Sequence, residues 1–339
     1  MKSISRRGFV LGSAGLGAAA MALVGAGCSG GDNKSSNSGS DSSKGGSGEL
    51  RFVTGGESGT YYAFGSVIAQ HATNNAGIKV TALAGNGSQA NVQDLEDGNA
   101  ELAFCQSDVE AYAYEGKNLF DGAPVDMIST VAALYDEQVQ IVTCNPDIKT
   151  VADLKGKNVS IGAAGSGVYF NAIDILGAYD MTENDIKPTY QSFGDSADAL
   201  KDEKIDAAFI VAGAPTTAIT DLATGGKVYL VSLDADHVAK LCESSPYYKE
   251  NVIKADVYGL DEDVTTVAIA ALVLARDDVA DADVVNFLKS VFDNLDEVTD
   301  AHAKGAEMSL EFASSITDIP YHSGAVQFFA DNGITVSGK

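Results

Sequence analysis

Gly56-Glu57-Ser58-Gly59-Thr60-Tyr61-Tyr62 and Gly165-Ser166-Gly167-Val168-Tyr169-Phe170 are two versions of one short pattern, one in each half of the chain. Each follows an apolar run that reads as a strand, Leu50 to Val53 and Val159 to Gly162, and each opens an amphipathic stretch that reads as a helix. A second pair of segments keeps the same order. Leu95-Glu96-Asp97-Gly98-Asn99-Ala100-Glu101-Leu102-Ala103-Phe104 is echoed by Leu200-Lys201-Asp202-Glu203-Lys204-Ile205-Asp206-Ala207-Ala208-Phe209. Two similar α/β lobes explain both repeats. A helix start presents unpaired backbone N–H groups and the positive end of the helix dipole, so two facing ones describe a clamp for a small anion. A single glycine-rich turn of this kind is ordinarily a packing turn; the doubling points to a cleft.

Outward from the first loop, Tyr61, Phe64, Ile68 and Ala72 recur at helical spacing, which predicts a helix from Thr60 to about Asn74. Ile78 to Ala84 reads as a strand, Ser88 as the N-cap of a helix carrying Val92 and Leu95 inward, and Leu102 to Cys105 as a strand whose end exposes Gln106, Ser107 and Asp108. Such alternation means parallel sheets covered on both faces. Val139 to Cys144 leads into a second lobe with strands at Ala207 to Val211 and Val228 to Leu233, and a turn at Gly213-Ala214-Pro215. Val264 to Leu274 returns the chain to the first lobe, which helices near Val284 to Leu295 and Ser323 to Asp331 complete. The expectation is an α/β protein of two similar lobes with mainly parallel sheets, residues 49–137 plus 265–339 in the first and 138–264 in the second. Two crossing segments make a two-strand hinge with the ligand cleft between the lobes.

The chain's start is of a different character. Ser5-Arg6-Arg7-Gly8-Phe9-Val10 resembles a twin-arginine signal, and the small apolar run that follows ends at Gly25-Ala26-Gly27-Cys28, which resembles a lipoprotein-processing box with Gly25 where Leu is usual. Residues 1–28 are therefore read as an export signal with lipid on Cys28, and 29–48, nearly free of apolar side chains, as a flexible tether. Together they place the protein outside the cytoplasm, anchored to the outer face of the cell membrane. With 22 Lys and Arg against 47 Asp and Glu and a net charge of −25, nucleic acid is excluded as a partner. Beyond the signal the only arginines are Arg51 and Arg276, which leaves little choice of guanidinium for an anion. Cys105, Cys144 and Cys242 are expected as three buried thiols.

The loops supply hydroxyls, amides and backbone donors where a carboxylate would sit: Thr60, Tyr61, Asn86, Ser88, Gln106, Ser166 and Gly167, with Gly59, Val168 and Gly213 beside them. Ser88 and Ser166 are equally suited to cap the helices they precede. Tyr62, Tyr169 and Phe170 suit the core better than the site. His71, His237, His302 and His322 show no metal-ligand spacing, and no Gly-x-Ser-x-Gly elbow occurs, so neither a cofactor, a metal nor an enzyme is read here.

Several motifs in their joint order resemble the TAXI family, the solute-binding proteins of TRAP transporters. They are Thr54-Gly55-Gly56 with Gly59-Thr60-Tyr61-Tyr62; Gly87-Ser88 with Asn91; Asp153-Leu154-Lys155-Gly156-Lys157; Gly165-Ser166-Gly167; Asp206-Ala207-Ala208-Phe209; and Ile319-Pro320-Tyr321-His322-Ser323-Gly324-Ala325. Val168 stands where the family usually has Thr and Ser323 where it usually has Pro. The resemblance implies a type II periplasmic-binding-protein fold and delivery of a small anionic organic acid, glutamate, glutamine or 2-oxoglutarate-like, to a TRAP-type permease driven by an ion gradient. A ligand-sensing module for a membrane receptor is the rival function, and an exported enzyme a remoter one.

Overall fold

The computed structural model describes residues 48–120 and 122–339. The signal, Cys28 and all of the tether but Gly48 lie outside the described residues. The chain begins β1 (Glu49–Val53), α1 (Thr60–Asn75), β2 (Lys79–Leu83), α2 (Ser88–Glu96), β3 (Leu102–Gln106), α3 (Ser107–Glu115) and β4 (Ile128–Thr143). There follow β5 (Asn158–Ser160), α4 (Val168–Ala178), β6 (Lys187–Thr189), α5 (Phe193–Lys201), β7 (Ala207–Ala212), α6 (Thr217–Gly225), β8 (Tyr229–Leu230), α7 (Ala235–Ser244) and β9 (Lys249–Ile253). The last part is β10 (Val264–Arg276), α8 (Asp281–Phe292), α9 (Leu295–Ala301), α10 (Leu310–Ala313) and α11 (Ser323–Asp331). No described helix is long and apolar enough to cross a membrane.

The strands lie in the order β2-β1-β3-β10-β4-β7-β5-β6, with β8 beside β4 and β9 beside β10. β1 is parallel to β2 and β3, and β5 to β6 and β7. These are the two parallel lobes. The long strands β4 and β10 join them, antiparallel to one another, with register shifts at Ala271/Leu272 and Val273/Leu274. The end of β10 pairs with β3 and its start with β9, while the end of β4 pairs with β7. Each long strand therefore serves both lobes, and the pair is the two-strand hinge.

Side chains of period two make this arrangement possible. In β7, Ala207, Phe209 and Val211 enter one core while Ala208, Ile210 and Ala212 enter another. In β3, Leu102 and Phe104 face a core with Phe52, Phe64 and Phe287, and Ala103 and Cys105 face a second with Val92 and Leu95. Strands buried on both faces need helices on both, and the chain supplies them. The α1 stripe of Tyr61, Phe64, Ile68 and Ala72 is buried as its spacing requires.

The structure also corrects several expectations. β4 starts at Ile128, well before Val139, and β8 is only two residues long, because Val231 and Leu233 pack into the core outside the ladder. Gln106, Ser107 and Asp108 are buried, since α3 begins at once and folds them under the opposite lobe. Cys105 is a buried thiol, but Cys144 and Cys242 are half-buried. His302 is half-buried too, its ring 4.9 Å from that of Phe64.

Where the lobes meet, buried polar groups pair across the boundary. The Gln106 Nε2 donates to Asn171 Oδ1 at 2.8 Å, and Asn171 Nδ2 donates to Asp108 Oδ2 and to the Tyr248 hydroxyl, both at 3.0 Å. Tyr248 in turn donates to Asp174 Oδ2 at 2.8 Å. Burial raises the Asp108 carboxyl to about 7, against the bonds from the Val109 amide and Asn171. Glu110 is raised to about 8 by burial, against its bond from Thr130.

Two predictions follow from this packing. Phe104 is fully buried, with its ring stacked on Tyr61 at 4.5 Å and tilted against Phe52 at 4.9 Å. Phe104→Ala should cost roughly 3–5 kcal/mol in urea unfolding, and a loss below about 1 kcal/mol would show that this cluster is not the core of its lobe. The raised carboxyls also fix a sign for pH. A proton held to about pH 7–8 when folded, but released near pH 4 when unfolded, stabilises fully below about pH 4 and is lost as pH rises through 7 and 8. Asp234, held down to about 2 by its bond with His237, acts oppositely and only in acid. The melting temperature should therefore fall from pH 5 to pH 8.5, and Asp108→Asn should flatten that slope. An equal slope in the variant would exclude Asp108 as a source.

Candidate functional site

Ligands of open α/β sheets gather at the carboxyl ends of parallel strands. Here the loops after β1, β2, β5 and β6 and the last residues of β3 and β7 all meet at one cavity of about 90 Å³, less than the room a drug-sized ligand needs. From the first lobe come Gly55, Gly56, Gly59, Thr60, Tyr61, Gly85, Asn86, Gly87, Ser88 and Gln106. From the second come Ala163, Ser166, Gly167, Val168, Ser192, Phe193, Val211 and Ala212, with Glu137 from β4 between them.

Three helices aim their starts at this space, and each starts from a glycine. Gly59, Gly87 and Gly167 are the N-cap residues of α1, α2 and α4, and none offers a side-chain oxygen to the first turn. First-turn N–H groups lack the i−4 partner of the helix interior. Here the Ala90 amide of α2 is taken by the Gly165 carbonyl and the Phe170 amide of α4 by the Gly167 carbonyl, which leaves the first two amides of each helix as donors toward the cavity. α5 shows the usual alternative, with Ser192 Oγ accepting from the Asp195 amide. The glycines are also needed for space. A Cβ on Gly167 would lie 1.5 Å from Gln106 Oε1, and Gly87, at φ +101°, has the Ser166 backbone 3.1 Å from where a Cβ would be. The two lobes touch at these glycines. The Ala90 amide donates to the Gly165 carbonyl at 2.8 Å, and the Ala218 amide to Ser58 at 3.1 Å.

The expectation that Ser88 caps α2 is corrected: Ser88 is the first helical residue, and its hydroxyl accepts from the Gln106 amide at 3.1 Å. Ser166 does not cap α4 either. Its hydroxyl is buried without a hydrogen-bond partner among the described residues. Thr60 Oγ1 donates to the Gly213 carbonyl at 2.8 Å, and the Tyr61 hydroxyl donates to Glu137 Oε2 at 2.8 Å.

Of the residues singled out from sequence, Gly59, Thr60, Tyr61, Asn86, Ser88, Gln106, Ser166, Gly167 and Val168 line the cavity. Gly213 stands behind it, holding Thr60 through its carbonyl. Glu137, Ser192 and Phe193 line it without having been foreseen. The available signal for Glu137 was the polar run Asp136-Glu137-Gln138 inside an otherwise apolar strand. Neither arginine reaches the cavity. Arg51 pairs with Glu101 and donates to the Gly98 carbonyl, and Arg276 pairs with Asp278. Among the described residues no Lys, Arg or His lines the space, and the ionisable groups that do are Tyr61 and Glu137. Burial raises Glu137 to about 8, against the Tyr61 bond, and pushes the Tyr61 phenol well above its ordinary value.

A ligand-binding component of an ABC-type import system from Staphylococcus aureus is 12% identical to this chain at a TM-score of 0.50, with 84% of this chain and 92% of that one covered. An ancestral arginine-binding protein, solved bound to arginine, is 12% identical at a TM-score of 0.50 over 75% of this chain and 97% of that one. The periplasmic aliphatic sulphonate binding protein SsuA from Escherichia coli is 17% identical over 84% and 92%, with a TM-score of 0.45. The two likenesses at a TM-score of 0.50 show the fold, a two-lobed periplasmic-binding-protein architecture. A family model described as the NMT1-like family matches residues 52–333. With that match spanning both lobes, the hinge and the cavity, the chain belongs to the NMT1-like family.

Proposed function

We propose that the protein is a solute-binding protein that captures a small organic acid between its lobes and hands it to a membrane permease. The observation that carries this reading is the convergence of three uncapped helix starts on one cavity without a basic side chain. Such a site suits a carboxylate, which accepts backbone N–H bonds without a counter-ion. The buried, unpaired Ser166 hydroxyl is a further donor. Glutamate, glutamine and 2-oxoglutarate-like acids are what the resemblance to the TAXI family implies, and it also argues for a TRAP-type permease as partner. The import system named for the Staphylococcus aureus relative favours a second reading, an ABC-type permease. Lipid on Cys28 would anchor the domain outside the cell membrane, and a binding role leaves no chemistry for an enzyme.

Calorimetry and thermal melts with glutamate, glutamine, 2-oxoglutarate and four-carbon dicarboxylates test the reading. At least one of them should bind and raise the melting temperature by mass action. Ser166→Ala should weaken that ligand roughly ten-fold or more while the unliganded melt barely moves, because the hydroxyl has no protein partner to lose. Thr60→Val should lose both affinity and some stability, since it removes one of the two hydroxyl donors, Thr60 and Thr216, that the Gly213 carbonyl accepts. Sugars or nucleotides stabilising the protein while every carboxylate fails would refute the proposal. Separately, Cys28→Ala should move a folded protein out of the membrane fraction; unchanged fractionation, with the N-terminus intact on both, would exclude the lipid.

A further inference from the structure

We propose that Glu137 is the acceptor for an ammonium group on the ligand, so that the solute is an α-amino acid and not an oxo acid or simple dicarboxylate. This rests on the solute-binding reading above and narrows it. Glu137 sits on the hinge strand β4, is 2% exposed and lines the cavity that the helix starts line. Its carboxyl has one hydrogen-bond partner among the described residues, the Tyr61 hydroxyl on Oε2. The basic group whose charge Glu137 feels, Lys304, is hydrogen-bonded to Glu307 at 2.5 Å and set 5.6 Å over the Tyr135 ring.

A buried carboxyl with a single neutral donor is costly unless something compensates it. The cavity wall offers no compensating cation, so the carboxyl stays neutral in the empty site and its ionised form calls for a cation that a bound ligand can bring. The same wall is rich in N–H donors at the three helix starts, which a carboxylate satisfies. A space with donors for an anion and one carboxyl for a cation is complementary to a zwitterion. An oxo acid satisfies only the first half and sets its carbonyl oxygen against the carboxylate.

The groups acting on Glu137 set its response to pH. Tyr61 on α1 holds it down, Asp108 on α3 pushes it up and Lys304 pulls it down, while the neighbouring Cys105 on β3 and Tyr135 on β4 feel its charge in turn. With its carboxyl raised to about 8 by burial, Glu137 is protonated in the empty protein at neutral pH. Binding an ammonium selects the carboxylate, so amino-acid binding releases a proton and strengthens as pH rises from 6 to 9. An oxo acid, helped by the protonated form, weakens over the same range.

Glutamate and 2-oxoglutarate differ at one carbon, amine against carbonyl, and are the probes, with glutamine as the uncharged-side-chain control. Titrations of the full chain in buffers of different ionisation enthalpy give affinity and proton release together. Wild type should prefer glutamate or glutamine over 2-oxoglutarate by at least ten-fold, releasing a proton near pH 7. Glu137→Gln keeps the shape and a partner for Tyr61; it should lose roughly 10- to 100-fold for the amino acids and nothing for 2-oxoglutarate. Tyr61→Phe, which removes the competing donor along with a hydroxyl of the cavity wall, should still release a proton on amino-acid binding. Equal or tighter 2-oxoglutarate binding, with amino-acid affinity unmoved in Glu137→Gln, overturns the assignment of Glu137 and leaves the organic-acid reading standing. Failure of all three acids on folded protein overturns the amino-acid assignment, and failure of the four-carbon dicarboxylates as well overturns the organic-acid reading with it.

Discussion

The amides at the start of an α-helix must find an acceptor, and in this protein the three helices that begin at the cavity have only glycine at the capping position. Ser, Thr, Asp or Asn at Gly59, Gly87 or Gly167 would fold a side-chain oxygen over the first turn and close it. Glycine leaves the turn open and also lets the lobes approach. The rest of the site is arranged around that choice. Gln106 fits against Gly167 because no Cβ is there, and from that position its amide reaches Asn171 and joins the buried chain running to Asp108, Tyr248 and Asp174.

The same choice explains how so acidic a chain can hold an anion. A net charge of −25 repels anions at a distance, but screening confines that field to about 8 Å. Within the cavity the local donors decide. Partly buried helix ends contribute up to about 2 kcal/mol each and charge-assisted hydrogen bonds roughly 1.5–3 kcal/mol each, enough between them for the −8 kcal/mol or so of a micromolar complex. Both arginines are therefore free for structural pairs, Arg51 at the far end of β1 and Arg276 at the end of β10.

Much of the fold was legible because its strongest signals are local. The glycine-rich loops, the α1 stripe and the doubly apolar strands β3 and β7 each carry their own pattern, and the strand-helix alternation follows from them. The elements that escaped are those whose pattern is broken. β4 was cut short because Asp136-Glu137-Gln138 interrupts its apolar run, and with it went Glu137, whose burial is set by the lobes closing over it and not by its neighbours in sequence. α3 begins on Ser107 and carries Asp108 and Glu110 in its first turn, buried charges that read as an exposed loop. Phe193 and Ser192 follow a three-residue strand too short to announce a loop after it. Nine of the ten loop residues chosen for the ligand do line the cavity, because strand ends are where parallel sheets leave room.

The position of β10 has a consequence for how the chain is assembled. It lies between β3 and β4, yet it is the last strand in sequence, made after every other strand of both lobes. Until Val264–Arg276 is made, β3 has an open edge, and β4 lacks the strand it pairs with along most of its length. Neither lobe can reach its native sheet as an independent N-terminal unit during synthesis. The contacts that complete them span more than a hundred residues, a topology that favours slow, late and concerted folding. An emerging chain of this kind keeps an apolar strand edge uncovered for most of its synthesis, and protection of that edge by a chaperone is most needed just before the last quarter of the protein appears.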